Sequence, residues 1–310
     1  MVGQSGGGET RVGGDVPPVS IVLTTLNGAR YLRESLDSCL SQTHTNFELI
    51  IVDGGSTDGT LDIVREYTDP RIRLVHQQAN EGKLPGAINL GLDSAKGDFL
   101  TWMQDDSIYE PSAIETMVRT LRENPTVGQV CADYWKTDPS GEERERICVI
   151  EGDQHLSAKS DPGGVCFMIR REVREKVGIH DLTAYPSQDA DYRWRIAMQF
   201  PTLRIPQPLY RWRFHSESLT GRLGWLYLAK TDVRIRLKLG IINESSAQRD
   251  LAEFHIAYAF EQYQEGRARV VPSLIWEGVR RDPRYLLNRG VLAILVRSLL
   301  GRKALQPLGA

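Results

Sequence analysis

Cysteine is scarce in this chain, and none of it is spaced for pairing. Cys39, Cys131, Cys148 and Cys166 form no Cys-x-x-Cys pair and have no histidine at zinc-ligand distance. That argues against a disulfide framework or a structural zinc and reads as reduced, mostly buried thiols in a cytosolic protein. Long hydrophobic runs are missing too. The most apolar stretch, Val291–Val296, stops at Arg297, far short of the roughly 20 residues of a bilayer span. The N-terminus lacks the basic region and apolar core of a secretory signal, and its glycine-rich residues 1–17 are expected to be a flexible tail. Two phosphate-binding signatures are also lacking. Thr24-Thr-Leu-Asn-Gly28 stands where G-x-G-x-x-G would follow the first predicted strand, and no G-x-x-x-x-G-K-[ST] occurs. A nicotinamide enzyme is thereby disfavoured, and any phosphate would have to be held by side chains and a metal.

What is there is the composition of an ordinary soluble protein, 41% hydrophobic and 25% charged over 310 residues, long enough for one large domain or a domain with an extension. The formal net charge of -2 conceals a polarity. Residues 221–310 carry 15 Lys and Arg against 8 Asp and Glu, a net of +7 that leaves -9 for residues 1–220.

From Val19 onward, β-branched runs alternate with helical patterns, which predicts an α/β fold around a largely parallel sheet. Strands are expected at 19–25, 47–52, 71–76, 99–103 and 129–134, with helices at about 29–42, from 60 to before Pro70, 84–95 and 111–123. Lys136–Glu145 is polar and reads as a surface hairpin or loop. A short strand at 165–169, helices at 171–177 and 188–199, and an extended aromatic-arginine segment at 206–215 come next. Beyond Leu223 the pattern is helical throughout, at 223–239, 244–265, 270–281 and 284–301.

Two carboxylates stand out. Phe99–Met103 runs through Gln104 into Asp105 and Asp106, as a buried strand does when it delivers acids to a sheet edge, although a solvated strand-end turn would look the same locally. Adjacent carboxylates repel, and a divalent cation or hydroxyl donors would ease that repulsion. Asp53 ends the second strand and opens Asp53-Gly-Gly-Ser-Thr-Asp-Gly59, whose glycines let a ligand come close to the backbone.

Six segments, in order, resemble family 2 inverting glycosyltransferases with the GT-A fold. They are Val19–Asn27, Ile50–Thr60, Asn80–Gly91, Gln104-Asp-Asp-Ser107, Ser187–Arg195 and Pro208–Thr220. The resemblance covers residues 19–220 and implies a nucleotide-diphospho-sugar transferase fold with a catalytic domain over 18–222. Its halves would be nucleotide-sugar binding (18–110) and acceptor and catalytic (111–222), and a helical extension over 223–310 lies outside the resemblance. It further implies that Thr24, Asn27, Asp53, Asn80, Lys83 and Asp105 bind the nucleotide. Asp106 would hold Mn²⁺ or Mg²⁺, with His215 as a metal or diphosphate contact, and Asp189 would be the general base. The donor would be a UDP-, GDP- or dTDP-sugar and the acceptor a glycan or lipid-linked saccharide, with no nucleic acid involved.

This sequence departs from the family pattern in three ways. Met103 holds the first acidic position of the D-x-D pattern, Gln188 precedes the base where an acid is frequent, and Leu26 replaces a frequent aromatic. Met103 is the main support for a rival reading, a catalytically silent nucleotide-sugar or glycan binding module. Asp191 is the rival to Asp189, though two positions on in a helix it should point elsewhere. For the basic helical segment, two readings stay open: peripheral membrane attachment, or packing against the catalytic domain or a second subunit.

Overall fold

The computed structural model describes residues 18–78, 81–149 and 164–300. Strand β1 (Val19–Thr25) is buried along its whole length, and so, but for Glu48, is β2 (Phe47–Asp53). Strands buried on both faces in this way form where a parallel sheet is covered on both sides. With β3 (Ile72–His76) and β4 (Phe99–Gln104) they form a parallel set in which β1 pairs with β2 and β4, and β3 pairs with β2.

The later strands make the sheet mixed rather than mostly parallel. β8 (Phe167–Arg170) is antiparallel to both β4 and β6 (Gln129–Thr137), and β9 (Thr202–Arg213) is parallel to β6. Two-residue β5 (Ile108–Tyr109) pairs with β9, and β7 (Glu143–Ile147) closes a hairpin on β6 across the polar segment predicted as a hairpin or loop. The order is β3-β2-β1-β4-β8-β6-β9-β5.

Side-chain alternation divides the core between the two faces. Ile21, Leu23, Leu49 and Ile51 pack with helices α1 (Leu32–Leu40) and α4 (Ala113–Glu123). Val22, Ile50, Val52 and Trp102 pack with α3 (Lys83–Ser94) and α6 (Gln188–Ala197). Helices α2 (Thr60–Glu66) and α5 (Arg171–Val177) complete this part. Cys39, Cys131 and Cys166 are buried and Cys148 is exposed, all four as free thiols.

The helical segment departs from expectation twice. The helix predicted over 223–239 is interrupted at Gly224, whose φ of 74° separates α7 (Leu219–Leu223) from α8 (Trp225–Lys238). The pattern over 284–301 resolves into a 3₁₀ turn, Pro283–Leu287, and α11 (Arg289–Leu300), with the Asn288 side chain accepting from the amides of Gly290 and Val291. Helices α9 (Glu244–Gln264) and α10 (Val271–Val279) lie between them. α8 is anchored to the α/β part by Ile235 packing on Ala190 and Trp194, and by Lys238 bonded to Asp181 at 2.5 Å. Ile256, Val271, Ile275, Val291 and Ile294 form a separate apolar core among α9, α10 and α11.

Candidate active site

The strand order reverses direction about β1, with β2 and β3 to one side and β4 to the other. Register brings Thr25 level with Asp53 and Thr24 level with Gln104. Ligands of open α/β sheets bind in the crevice at such a reversal, beyond the carboxyl ends of the strands. A cleft of about 470 Å³ opens there, lined in part by Thr24, Asn27, Lys83, Asp105, Asp106 and His215.

The two adjacent aspartates have opposite environments. Asp105 turns back beneath the loop after β1, where the Thr25 hydroxyl donates to its Oδ2. A Cβ on Gly28 would lie 1.8 Å from that oxygen, so the missing side chain leaves the room Asp105 occupies. Burial raises its pKa to about 7, with the neighbouring Asp106 charge adding to the rise and the Thr25 hydrogen bond opposing it.

Asp106 faces the cleft. Ser107 donates to its Oδ1 at 3.0 Å, and its Oδ2 lies 3.2 Å from His215 Nε2. Behind it, buried Arg213 donates to the Asp106 carbonyl at 3.2 Å, bonds Glu34 at 2.5 Å and sits 4.3 Å over the Tyr31 ring. The end of β9 is thus tied to the end of β4, and His215 follows two residues later.

Asp53 and Asn27 are engaged within their own loops. The Asp53 carboxylate is 1% exposed and accepts from the amides of Gly55 and Ser56, each at 3.1 Å, while the next residue, Gly54, reaches the cleft wall. Asn27, with φ of 56°, accepts from the Thr57 amide at 2.8 Å and so ties the β1 loop to the loop after β2. Thr24 is buried, its hydroxyl 3.4 Å from the Met103 carbonyl. Lys83 follows left-handed Gly82 and holds its ammonium 4.6 Å from the Tyr185 ring centroid. Asn80 lies outside the described residues. Met103 is buried against Cys39 and has no access to the cleft.

Asp189 lies in the first turn of α6, where the helix dipole favours a negative charge. Trp102 Nε1 donates to one carboxylate oxygen at 3.2 Å and Gln188 Nε2 to the other at 3.1 Å. It lines a second cavity of about 510 Å³ together with Trp212, Trp225 and Phe254. The two cavities share Leu84, Gln104, Asp106, Ser218 and Leu219 on their common wall. Asp191 is turned away and buried against Arg195 at 2.8 Å.

Sequence reasoning missed several lining residues. Arg30, which faces Glu217 of the same cleft at 3.8 Å, and Arg222 line the first cleft, and Trp225 and Phe254 reach the second from the helical extension. Arg213 was visible only as part of an aromatic-arginine stripe, since nothing local marks one arginine of the stripe as the one that meets Asp106.

A profile described as Glycosyl transferase family 2 matches residues 20–178, half of the chain. The chain belongs to this family. Among curated relatives of this family 2 chain, an uncharacterized glycosyltransferase of Rickettsia prowazekii is 36% identical over 217 residues, covering 66% of this chain and 66% of the relative. One of Rickettsia felis is 29% identical over 214 residues, covering 65% of this chain and 35% of the relative. The match therefore spans about a third of the R. felis protein and two thirds of the R. prowazekii one.

Two solved structures share the fold. A mannosyltransferase of Pyrobaculum calidifontis, in complex with GDP-Man and Mn²⁺, has a TM-score of 0.61 at 18% identity, covering 93% of this chain and 81% of that one. S. aureus TarS 1-349, in complex with UDP, has a TM-score of 0.58 at 16% identity, covering 91% and 88%. The GT-A fold is thereby established for this family 2 chain, in which a mixed sheet with flanking helices is followed by a helical C-terminal region.

Proposed function

We propose that this chain is an inverting glycosyltransferase that moves a sugar from a nucleotide-diphosphate sugar to a hydroxyl of a glycan or lipid-linked saccharide. The observation that carries the reading is the shared wall. A cleft lined by Thr24, Lys83 and Asp105 meets the cavity holding Asp189 at Asp106, so donor and acceptor would converge on one carboxylate. The proposed division is a catalytic domain over 18–222, with a nucleotide half (18–110) and an acceptor half (111–222), and a helical extension over 223–310.

In this reading the first cleft takes the nucleotide, with Asp105 toward the ribose and Lys83, Arg30 and Arg222 compensating the diphosphate charge. Asp53 and Asn27 support the base side chiefly by fixing the loops that carry Gly54 and Leu26. Among the described residues no three His, Cys, Asp or Glu cluster as a metal cage. A single carboxylate, Asp106, with the His215 imidazole beside it, nevertheless suits Mn²⁺ or Mg²⁺ that takes its other ligands from phosphate oxygens and water. Such an ion, when bound, supplies Lewis-acid stabilisation of the departing diphosphate.

Asp189 accepts the acceptor hydroxyl proton as that oxygen attacks the anomeric carbon from the face opposite the diphosphate. The carbon–oxygen bond to the diphosphate breaks and the configuration inverts. Trp102 and Gln188, each donating to one carboxylate oxygen, hold the base oriented toward the second cavity.

The test is a thermal-shift screen of UDP-, GDP- and dTDP-sugars with and without Mn²⁺, followed by turnover of the stabilising donor. A shift that needs both one nucleotide and the metal is expected. Asp189→Asn should keep that shift and lower transfer by about 10²- to 10⁴-fold, whereas Asp106→Ala should lose the metal-dependent part of the shift. Unchanged transfer in Asp189→Asn would remove the base assignment. Donor binding with no turnover in the unsubstituted protein would point to a silent binding module.

A further inference from the structure

Exposed apolar side chains are concentrated at one end of the molecule. Of fourteen large hydrophobic residues exposed among the described residues, eight lie between 270 and 300. Leu287 is 85% exposed, Trp276 and Leu299 65% each, and Leu300 62%. On α11 the exposed Leu292, Val296, Leu299 and Leu300 fall within one arc of about 100° at helical spacing. Val291 and Ile294 point the other way, into the core shared with α9 and α10. One side of α11 thus holds the helical segment together while the other presents leucines to solvent.

The charge around this face has one sign. Residues 267–300 contain seven arginines against Glu277 and Asp282. Both acids are already taken, Glu277 by Arg280 and Arg281, and Asp282 by Arg284 at 2.6 Å. Among the described residues, Arg269, Arg289 and Arg297 have no acidic partner, and on α11 Arg289 stands at the head of the exposed stripe and Arg297 beside it. Apolar side chains interleaved with uncompensated arginines complement a surface with phosphate headgroups outside and acyl chains beneath. A second copy docked symmetrically would set arginine against arginine with almost no acid to compensate, which disfavours self-association through this face.

We propose that the outer face of α10, the 283–287 turn and α11 docks on an anionic lipid bilayer, with Trp276, Leu287, Leu299 and Leu300 entering the headgroup region and Arg289 and Arg297 contacting lipid phosphates. No transmembrane helix is involved, since among the described residues none is long and apolar enough to cross a membrane. The two readings left open for the basic helical region therefore divide between its parts. α8 packs against the α/β part, and α11 turns outward. This inference does not depend on the glycosyltransferase reading.

The test is co-sedimentation of the full chain with vesicles of phosphatidylcholine alone and of phosphatidylcholine with about 30% phosphatidylglycerol. Partitioning at least about tenfold higher on the anionic vesicles is expected, falling steeply at about 500 mM NaCl. Leu287→Ser with Leu299→Ser, and separately Arg289→Glu with Arg297→Glu, should each reduce it severalfold while leaving the melting temperature unchanged, because all four side chains are exposed. Absence of binding to anionic vesicles, or binding untouched by both variants, overturns the proposal. So does a dimer in light scattering that the leucine variant dissolves, because a second copy would then cover the face.

Discussion

Burial separates two carboxylates that the chain makes neighbours: Asp105 lies under Gly28, with its pKa raised to about 7, and Asp106 looks into the cleft. A buried histidine carries a separate consequence. His180 is fully buried, stacked on Tyr192 at 4.0 Å and edge-on to Trp102 at 4.8 Å. Desolvation holds its pKa well below 6.5, helped by the charges of Arg195, Arg174 and Arg193. As pH falls through about 6.5 the unfolded chain takes up a proton here and the folded chain does not. The stability due to the neutral ring is therefore present above that pH and declines below it, by at most about 1.4 kcal/mol per pH unit. His180→Phe should flatten that slope, measured as the difference between urea midpoints at about pH 7.5 and pH 5.5. His255, lowered chiefly by burial, should retain a smaller slope of the same sign. Since Trp102 also donates to Asp189, an altered pH optimum of transfer in the same variant would mark strain passed on to the proposed base.

At the scale of elements, α3 couples packing to the cleft because it begins at Lys83 and lies on β1 and β2. Gly91 makes the close approach. A Cβ there would fall 2.3 Å from Val22 Cγ1 and 3.0 Å from Val52 Cγ2. Gly91→Ala is expected to destabilise by about 1–3 kcal/mol through overpacking, read from the denaturant midpoint. If α3 relieves the clash by shifting as a rigid body, Lys83 at its start moves with it and nucleotide-sugar binding should weaken as well. Strands β1 to β3 were legible in sequence because each carries β-branched residues bounded by turn residues, β4 as a short apolar run ending in two acids, and α3 because Ala87, Ile88 and Leu92 recur at helical spacing. The α7–α8 break was not legible. Trp225–Lys238 is largely apolar and basic, with Asp232 its one acid, and the positive φ adopted at Gly224 divides it from Leu219–Leu223.

For the whole molecule, the second cavity is walled jointly by the α/β part and the helical extension, with Asp189 on one side and Trp225 and Phe254 on the other. Trp225 lies edge-on to Tyr258 at 5.4 Å and donates its Nε1–H to Glu261, so α9 fixes its orientation. In the proposed function this wall meets the acceptor. Trp225→Ala should then raise the acceptor KM by about tenfold, the usual scale for one lost aromatic stacking contact, and leave the donor- and Mn²⁺-dependent thermal shift unchanged. A reduced donor shift would mean instead that the extension supports the nucleotide cleft.

The sequence alone determined the strand-helix alternation, the strand ends at which acids and glycines stand, and the family, because these depend on local periodicity and on motifs read in order. Tertiary structure decided which carboxylates face open space. Asp53 spends its oxygens on the amides of its own loop, Asp191 on Arg195, and Asp106 meets His215 from 109 positions away. It also decided that Ile235 of α8 packs on the α/β part while Leu292, Val296, Leu299 and Leu300 of α11 meet solvent. Helical spacing tells which residues share a side, but which side finds a partner depends on contacts between segments far apart in the chain, and those exist only once the sheet and its helices have assembled.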